Sequence, residues 1–182
     1  LSVYQTDLAG FANNYGLQLA NSSLSKFVAK VHSNTDRTLA PSSSACEYLT
    51  GLGVPEVKLW QRGVDSERYR PENRSSELRA KLLGSRPDRT LIGYIGRLAH
   101  EKRLEDLIDL DSQDGVQLVI VGDGPIRNRL ERKLPNAVFT GFKSGSDLAQ
   151  MYASLDIFIH TGQHETFCQS IQEALASGVP VI

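Results

Sequence analysis

Thr90-Leu-Ile-Gly-Tyr-Ile95, Val116-Gln-Leu-Val-Ile-Val121 and Asp156-Ile-Phe-Ile-His160 are short apolar runs with almost no polar alternation. A strand that is apolar on both faces must be covered on both faces, which points to a parallel sheet between two layers of helix. The intervening stretches carry helical patterns at Leu104–Leu110, Pro125–Leu134, Asp147–Ser154 and Phe167–Ser177. With further strands expected at Ala137–Thr140 and Val179–Ile182, residues 90–182 read as a doubly wound α/β domain. Within it, Pro125 suits a first helical position, Ser146 an N-cap, and Gly178 the positive-φ position past a helix end.

Upstream the pattern is thinner. Ser2–Gln5, Arg37–Ala40 and Val57–Trp60 are strand candidates, and Leu24, Phe27, Val28 and Val31 follow the spacing of a half-buried helix. Ser44-Ala-Cys-Glu47 has the spacing of a capping box that would open a second helix. These are pieces of another α/β domain, too few to enclose a core alone. Asp65 to Arg89 is polar, holds Pro71 and Pro87, and contains one short helix candidate at Ser76–Leu83, so it is expected to be a hinge. Leu1 opens without a signal-peptide layout and Gly178-Val-Pro-Val-Ile182 stops on an apolar strand. Both ends read as cut, so a piece of a longer protein is expected.

Composition narrows the class. Lys+Arg 20 against Asp+Glu 21 leaves no basic excess for a dedicated nucleic-acid binder. Two cysteines, Cys46 and Cys168, make no disulfide framework and suit a reducing cytoplasm. No apolar run approaches the ~18 residues of a membrane span. Charge is nevertheless uneven: Arg62 through Arg103 holds 11 Lys/Arg and 6 Asp/Glu, either a solvated face or a surface for anionic lipid headgroups.

Three constellations can carry chemistry. In the first, Gly96-Arg97 follows a strand and Lys102 stands five residues on. Ligands of open α/β sheets sit at the carboxyl ends of strands, and a guanidinium with an ammonium there suits a diphosphate; two ordinary surface cations are the alternative. The second, Gly122-Asp-Gly-Pro125, begins like a phosphate turn, but Arg127 stands where a third Gly is expected, so a tight strand-to-helix turn explains it as well. The third is Glu165 and Glu173, eight positions apart around Phe167-Cys-Gln169. Glu173 can accept two hydrogen bonds from a vicinal diol such as ribose, Glu165 can face polyol hydroxyls, and the amides between them would form a helix N-terminus that attracts anions. Neither His160 with His164 nor the cysteines have metal-ligand spacing, so no metal site is expected. Trp60 is expected to pack near the hinge.

Taken in order, Gly63-Val-Asp65, Gly96-Arg97 with Lys102, Val121-Gly-Asp-Gly-Pro125, Phe139-Thr-Gly-Phe142, Tyr152-Ala-Ser-Leu-Asp156, and Glu165 to Glu173 running into Ala174–Ile182 resemble a retaining GT-B glycosyltransferase of family 4. Lys58-Leu-Trp-Gln-Arg-Gly-Val-Asp65 and His164-Glu-Thr-Phe-Cys-Gln169 are similar to GDP-mannose-dependent α-mannosyltransferases of actinobacteria, which act in glycolipid assembly. The resemblance implies a GT-B fold. Residues 1–64 would be the C-terminal part of a truncated Rossmann-like acceptor-side domain, 65–89 the hinge, and 90–182 the nucleotide-sugar-binding domain.

It further implies that Arg97 and Lys102 hold the donor diphosphate, that Glu173 holds the ribose, and that Glu165 faces the transferred sugar beside Phe167, Cys168 and Gln169. Gly141 and Phe142 would meet the nucleobase, with Gly96 beside the diphosphate. Asp7 would be a polar group on the acceptor side, although Gln5 stands where relatives commonly have His. Cys168 and Arg103 stand where relatives often have Gly. GDP-mannose enters as substrate, with no tightly bound cofactor. The implied acceptor is a lipid of phosphatidylinositol-mannoside or glucuronosyl-diacylglycerol type, reached by peripheral attachment at the inner face of the plasma membrane. Use of a UDP-sugar donor, or nucleotide binding without transfer, stay open as alternatives. A dinucleotide-dependent oxidoreductase does not fit, for want of the third Gly and of an acidic residue in the expected context.

Overall fold

Two apolar strands that cannot face water on either side form the centre of a parallel sheet. The computed structural model describes residues 1–8, 12, 21–162 and 166–182. Contacts divide the chain into two units: Leu1–Gly63 with Gln163–Cys168, and Val64–Gly162 with Gln169–Ile182.

In the first unit, β1 (Ser2–Val3), β2 (Thr38–Ala40) and β3 (Val57–Leu59) form a parallel sheet in that order, with α1 (Asn21–Ser33) and α2 (Ser43–Gly51) between them. Tyr4, Val28, Ala40 and Leu49 are buried at its centre. The cap of α2 is Ser42, not Ser44: Ser42 has the extended backbone a cap needs, and its hydroxyl accepts from the Ala45 amide at 3.3 Å. Ser44 is thereby inside the helix. Trp60 does not pack into a core; it is 40% exposed, with the Arg62 guanidinium 5.6 Å from its ring centre.

In the second unit, α3 (Ser76–Leu83), β4 (Thr90–Ile95), α4 (Ile108–Asp111), β5 (Val116–Val121), α5 (Arg127–Lys133), β6 (Val138–Gly141), α6 (Gly145–Ser154), β7 (Ile157–Phe158) and α7 (Gln169–Ala176) follow one another. All four strands are parallel, ordered β6-β5-β4-β7. The order reverses beside β4, because the chain steps outward from β4 through β5 to β6 and then crosses back to β7. β4 and β5 are buried almost throughout, as two-sided apolar strands require. Residues 180–182 continue the sheet beside β7 through Phe158 N–H to the Pro180 carbonyl and Ile182 N–H to the Phe158 carbonyl. Only Val181 makes a formal bridge, in keeping with a Pro180 that has no N–H to donate.

Several helix starts differ from expectation. Pro125 lies in a turn and α5 begins at Arg127, since the Ile126 amide is drawn to the Leu98 carbonyl. Ser144, not Ser146, is the extended residue before α6. The stretch from Leu104 begins as a 3-10 turn before α4, after Arg103 in a left-handed conformation. α7 starts at Gln169 instead of Phe167, because Cys168 has φ 52° and stands outside it. Gly178 has the expected positive φ, 73°, and a Cβ there would also crowd Pro71.

The segment read as a hinge groups by its contacts with the second unit from Val64 onward. Tyr69 is buried in that unit's core. Arg74 donates to the carbonyls of Ala153 and Leu155, and Arg79 to that of Ser154. Both guanidiniums also reach Asp156, at 2.7 and 3.0 Å, while Asp156 accepts from the Leu91 amide. Burial alone would push the Asp156 carboxyl up, but the Leu91 amide and the two arginines hold it below its usual range. Among the described residues no helix is long and apolar enough to cross a membrane.

Candidate functional site

The loops after β4, β5 and β6 are laced together at the carboxyl edge of the second unit's sheet. Gly96 N–H donates to the Val121 carbonyl, Gly122 N–H to that of Gly141, and Leu98 N–H to that of Asp123. The backbones approach so closely that no side chain fits between them. A Cβ on Gly122, whose φ is 134°, would fall on the Gly96 carbonyl, and one on Gly124 would fall on that of Leu98. The Gly122-Asp-Gly-Pro125 string is therefore a packing device that sets the loop carrying Arg97.

Above this floor opens a cavity of about 450 Å³ whose lining includes Arg97, Phe142, Lys143, Gln169, Ser170 and Glu173. It draws on the ends of β4, β5 and β6 and on α6 and α7, at the reversal in strand order where open α/β sheets bind ligands. Arg97 is 62% exposed in its side chain and lies 3.7 Å from the carboxylate of Glu101, itself 11% exposed. Phe142 is 74% exposed. Gly141 has φ 73° and gives its carbonyl to Gly122, so it shapes the turn that presents Phe142.

Glu173 is the half-buried carboxylate of the cavity. Burial raises its pKa, against the pull of hydrogen bonds from the Tyr152 and Tyr69 hydroxyls and of the Arg68 charge, and the net shift is upward. Tyr69 is pushed up in turn by burial and by Glu173. The two tyrosine rings meet edge to face, 5.6 Å between centres, and Tyr152 leans on Phe158 at 5.7 Å.

The structure thus brings together Gly96, Arg97, Phe142, Gln169 and Glu173 of the expected site residues. Lys102 does not line the cavity. It ends a 3-10 turn (His100–Lys102), and its carbonyl accepts from the Thr161 hydroxyl. Asp7, Phe167 and Cys168 group with the first unit, where the Thr166 hydroxyl donates to the Gln5 carbonyl at 2.8 Å. Glu165 and His164 lie outside the described residues. Lys143 lines the cavity without a signal in the sequence, and Tyr69 packs in the core against Tyr152 behind it. Tyr152 stood in a quoted motif, but nothing there indicated that its hydroxyl would meet Glu173.

A family model described as "Glycosyl transferases group 1" matches residues 76–182, more than half of the chain. The chain belongs to the group 1 glycosyl transferases. It is 50% identical over 183 aligned residues to a protein of Mycolicibacterium smegmatis named GDP-mannose-dependent alpha-mannosyltransferase, covering all of this chain and 48% of that relative. It is 33% identical over 162 residues to a GDP-mannose-dependent alpha-(1-6)-phosphatidylinositol dimannoside mannosyltransferase of Mycobacterium tuberculosis, covering 85% of this chain and 42% of the relative. The chain therefore spans about half the length of these glycosyl transferases. Among solved structures, a sucrose-phosphate synthase from Thermosynechococcus elongatus shares the fold with a TM-score of 0.80 at 20% identity, over 98% of this chain and 48% of that one. The parallel α/β architecture is that of GT-B glycosyltransferases.

Proposed function

We propose that the protein carrying this chain transfers mannose from GDP-mannose to a lipid-linked acceptor with retention at the anomeric carbon. What carries the reading is the likeness over the whole chain to a protein named for its GDP-mannose dependence. The cavity beside β4 supports it, because a guanidinium and a carboxylate 76 positions apart in sequence line one space. In this reading Arg97 and Lys102 take the donor diphosphate, the first as a fork and the second as a point charge. Charge grows on that diphosphate as the sugar–oxygen bond breaks, so fixed cations favour the transition state over the ground state. Glu173 accepts from the ribose hydroxyls, and Phe142 with Gly141 borders the base. Gln169 and Cys168 lie along the sugar-phosphate with Phe167, and Glu165 orients the mannose. Asp7 serves the acceptor side. The acceptor hydroxyl attacks from the face the phosphate leaves, and the departing phosphate oxygen takes its proton.

The phosphatidylinositol dimannoside named for one relative supports a lipid acceptor. The basic surplus between Arg62 and Arg103 supports peripheral attachment to the inner face of the plasma membrane. We assign residues 1–64 to the acceptor side, 65–89 to the connection and 90–182 to the donor side. The test is transfer by the full-length protein to membrane lipid from GDP-mannose against UDP-sugars. Preferred use of GDP-mannose is expected, and equal or preferred use of a UDP-sugar overturns the donor. GDP binding with no transfer from any donor, unchanged by Glu165→Gln, would make it a nucleotide-binding module. Sedimentation with anionic vesicles should occur at low salt and fade at high salt; no binding at low salt refutes the attachment.

A further inference from the structure

The peptide that joins Arg97 to Leu98 is held at both of its polar ends. Its N–H donates to the Asp123 carbonyl at 2.9 Å, and its C=O accepts from the Tyr94 hydroxyl at 3.1 Å. On either side the chain is pinned by backbone: Gly96 N–H donates to the Val121 carbonyl at 3.0 Å, and the Leu98 carbonyl accepts from the Ile126 N–H at 3.2 Å. Tyr94 thus adds a side-chain bond to a set made by backbone. It lies on β4, is 1% exposed, and packs in the cluster of Leu98, Leu104, Leu118 and Ile120. Its neighbour Ile95 belongs to the other cluster and lines the cavity. Successive strand residues point to opposite faces, so the hydroxyl reaches the Arg97 turn from the side of the sheet away from Ile95. Gly96 makes room for it: a Cβ there would fall 2.7 Å from the hydroxyl, and Gly96 is not among the glycines at positive φ. What its missing side chain provides is space for the Tyr94 oxygen.

A peptide unit is planar, so holding its N–H and its C=O holds the whole plate. With Gly96 pinned as well, little freedom remains in the direction in which the Arg97 side chain leaves the loop. That direction matters here because the side chain is 62% exposed, with the Glu101 carboxylate 3.7 Å from its guanidinium, and is not enclosed by packing. A fork that must meet two oxygens at once is sensitive to the set of its own root. We propose that Tyr94 is a positioning residue: its hydroxyl sets the Arg97 peptide so that the guanidinium enters the cavity toward the diphosphate of the nucleotide. The inference rests on the reading of Arg97 as a diphosphate cation. Tyr94 itself touches no ligand and acts only through Arg97, and Phe at this position would delete the bond while keeping the ring in its cluster.

The experiment is a titration of the full-length protein with GDP and with guanosine, the ratio of the two affinities reporting the diphosphate contact. Arg97→Ala should shrink the ratio; if it does not, the diphosphate reading of Arg97 falls, whatever Tyr94 does. With that arm satisfied, Tyr94→Phe should shrink the ratio about five-fold while guanosine binds as before, the effect of losing one hydrogen bond. In the Arg97→Ala background the same substitution should leave the ratio where it was, because the group it positions is gone. An unchanged ratio in Tyr94→Phe, an equal loss for GDP and guanosine, or the same loss with Arg97 already removed, overturns the positioning role. Should Tyr94→Phe fail to fold, Gly96→Ala tests the bond from its other side, since its Cβ would drive the hydroxyl from the Arg97 carbonyl. The ratio should then fall with Arg97 present and not without it; a fall in both backgrounds, or in neither, overturns the proposal.

Discussion

Gly122→Ala should be among the most damaging single substitutions in the second unit, and for a reason separable from ordinary glycine strain. A Cβ at position 122 would lie about an ångström inside the 3.0 Å floor that real Cβ contacts respect, and the atom it meets is the backbone carbonyl of Gly96, which cannot swing aside. Relief requires the β4 and β5 loops to part by about that distance. Such a shift stretches the Gly96–Val121 hydrogen bond at 3.0 Å and the Gly122–Gly141 bond at 2.9 Å beyond useful range. Two buried-edge hydrogen bonds at about 1 kcal/mol each, with a positive-φ cost of about 1–2 kcal/mol, give a loss of roughly 3–4 kcal/mol. Gly115→Ala is the matched control. Gly115 also has a positive φ, 80°, but a Cβ there meets nothing within 4 Å, so only the conformational part, about 1–2 kcal/mol, should appear. Thermal unfolding followed by circular dichroism should place Gly122→Ala about 10 °C or more below the parent, and Gly115→Ala only about half as far down or less. GDP affinity should fall only in the first, because Arg97 is the residue after the displaced carbonyl. If the two variants melt together, close backbone approach is not what position 122 requires, and the account of the cavity floor is wrong.

Two other perturbations separate stability from chemistry. Asp156→Asn removes the carboxylate shared by Arg74 and Arg79 while leaving those arginines their carbonyl acceptors; with Arg74 44% exposed, we expect a cost of about 2 kcal/mol in denaturant unfolding. Its native pKa lies below the unfolded value of about 3.9, so the carboxylate's contribution is full above that pH and drains away as pH falls through the lower native value. The gap between wild type and Asp156→Asn should accordingly close at low pH, and a gap that widens there would refute the assignment. Arg97→Ala should do the opposite: the side chain is 62% exposed with one ion-pair partner at 3.7 Å, so unfolding should change by under about 0.5 kcal/mol while turnover falls about 10²–10³-fold. Unchanged turnover would remove Arg97 from the donor site.

The parallel sheet was legible because its information is local. β4 and β5 have the bounds that their apolar runs announce, and α3 has the Ser76–Leu83 limits that its pattern suggests. Helix starts were less legible, because caps are decided by backbone conformation and competing partners. Pro125 suits a first turn in any sequence, but here the Ile126 amide is claimed by Leu98, and the helix waits until Arg127. Cys168 shows the same limit: a non-glycine residue at positive φ delays to Gln169 the helix start that the pattern places at Phe167. In the site, Arg97, Phe142 and Glu173 were legible through their places after strands and in a motif. Tyr69 was not, because its role depends on a partner 104 positions on and on the burial of a stretch whose polarity reads as linker.

The burial of Tyr69 and the pairing of Arg74 and Arg79 with Asp156 give this polar segment a part in building the site. A polar segment with two prolines looks dispensable, yet three of its side chains grip the sheet's other elements: Arg74 and Arg79 close the chain around Asp156, and Tyr69 packs edge to face on Tyr152. Both grips fall at the C-terminal end of α6, one at its exit toward β7 and one on Tyr152 in its last turn. β7 is fixed by backbone pairing with β4, but α6 carries no glycine lacing like that of the β4 and β5 loops and is held through its side chains and carbonyls. Backbone-to-backbone packing yields a floor that tolerates almost no substitution at Gly122 and Gly124, whereas side-chain packing yields a wall that can be retuned one hydroxyl at a time. A diphosphate is the same in every nucleotide-sugar, and it would meet the floor that carries Arg97; the base would meet the turn at Gly141 and Phe142, and the sugar the start of α7 at Gln169. Changes in donor preference should therefore arise at Phe142 and at the start of α7 before they arise at Gly122 and Gly124.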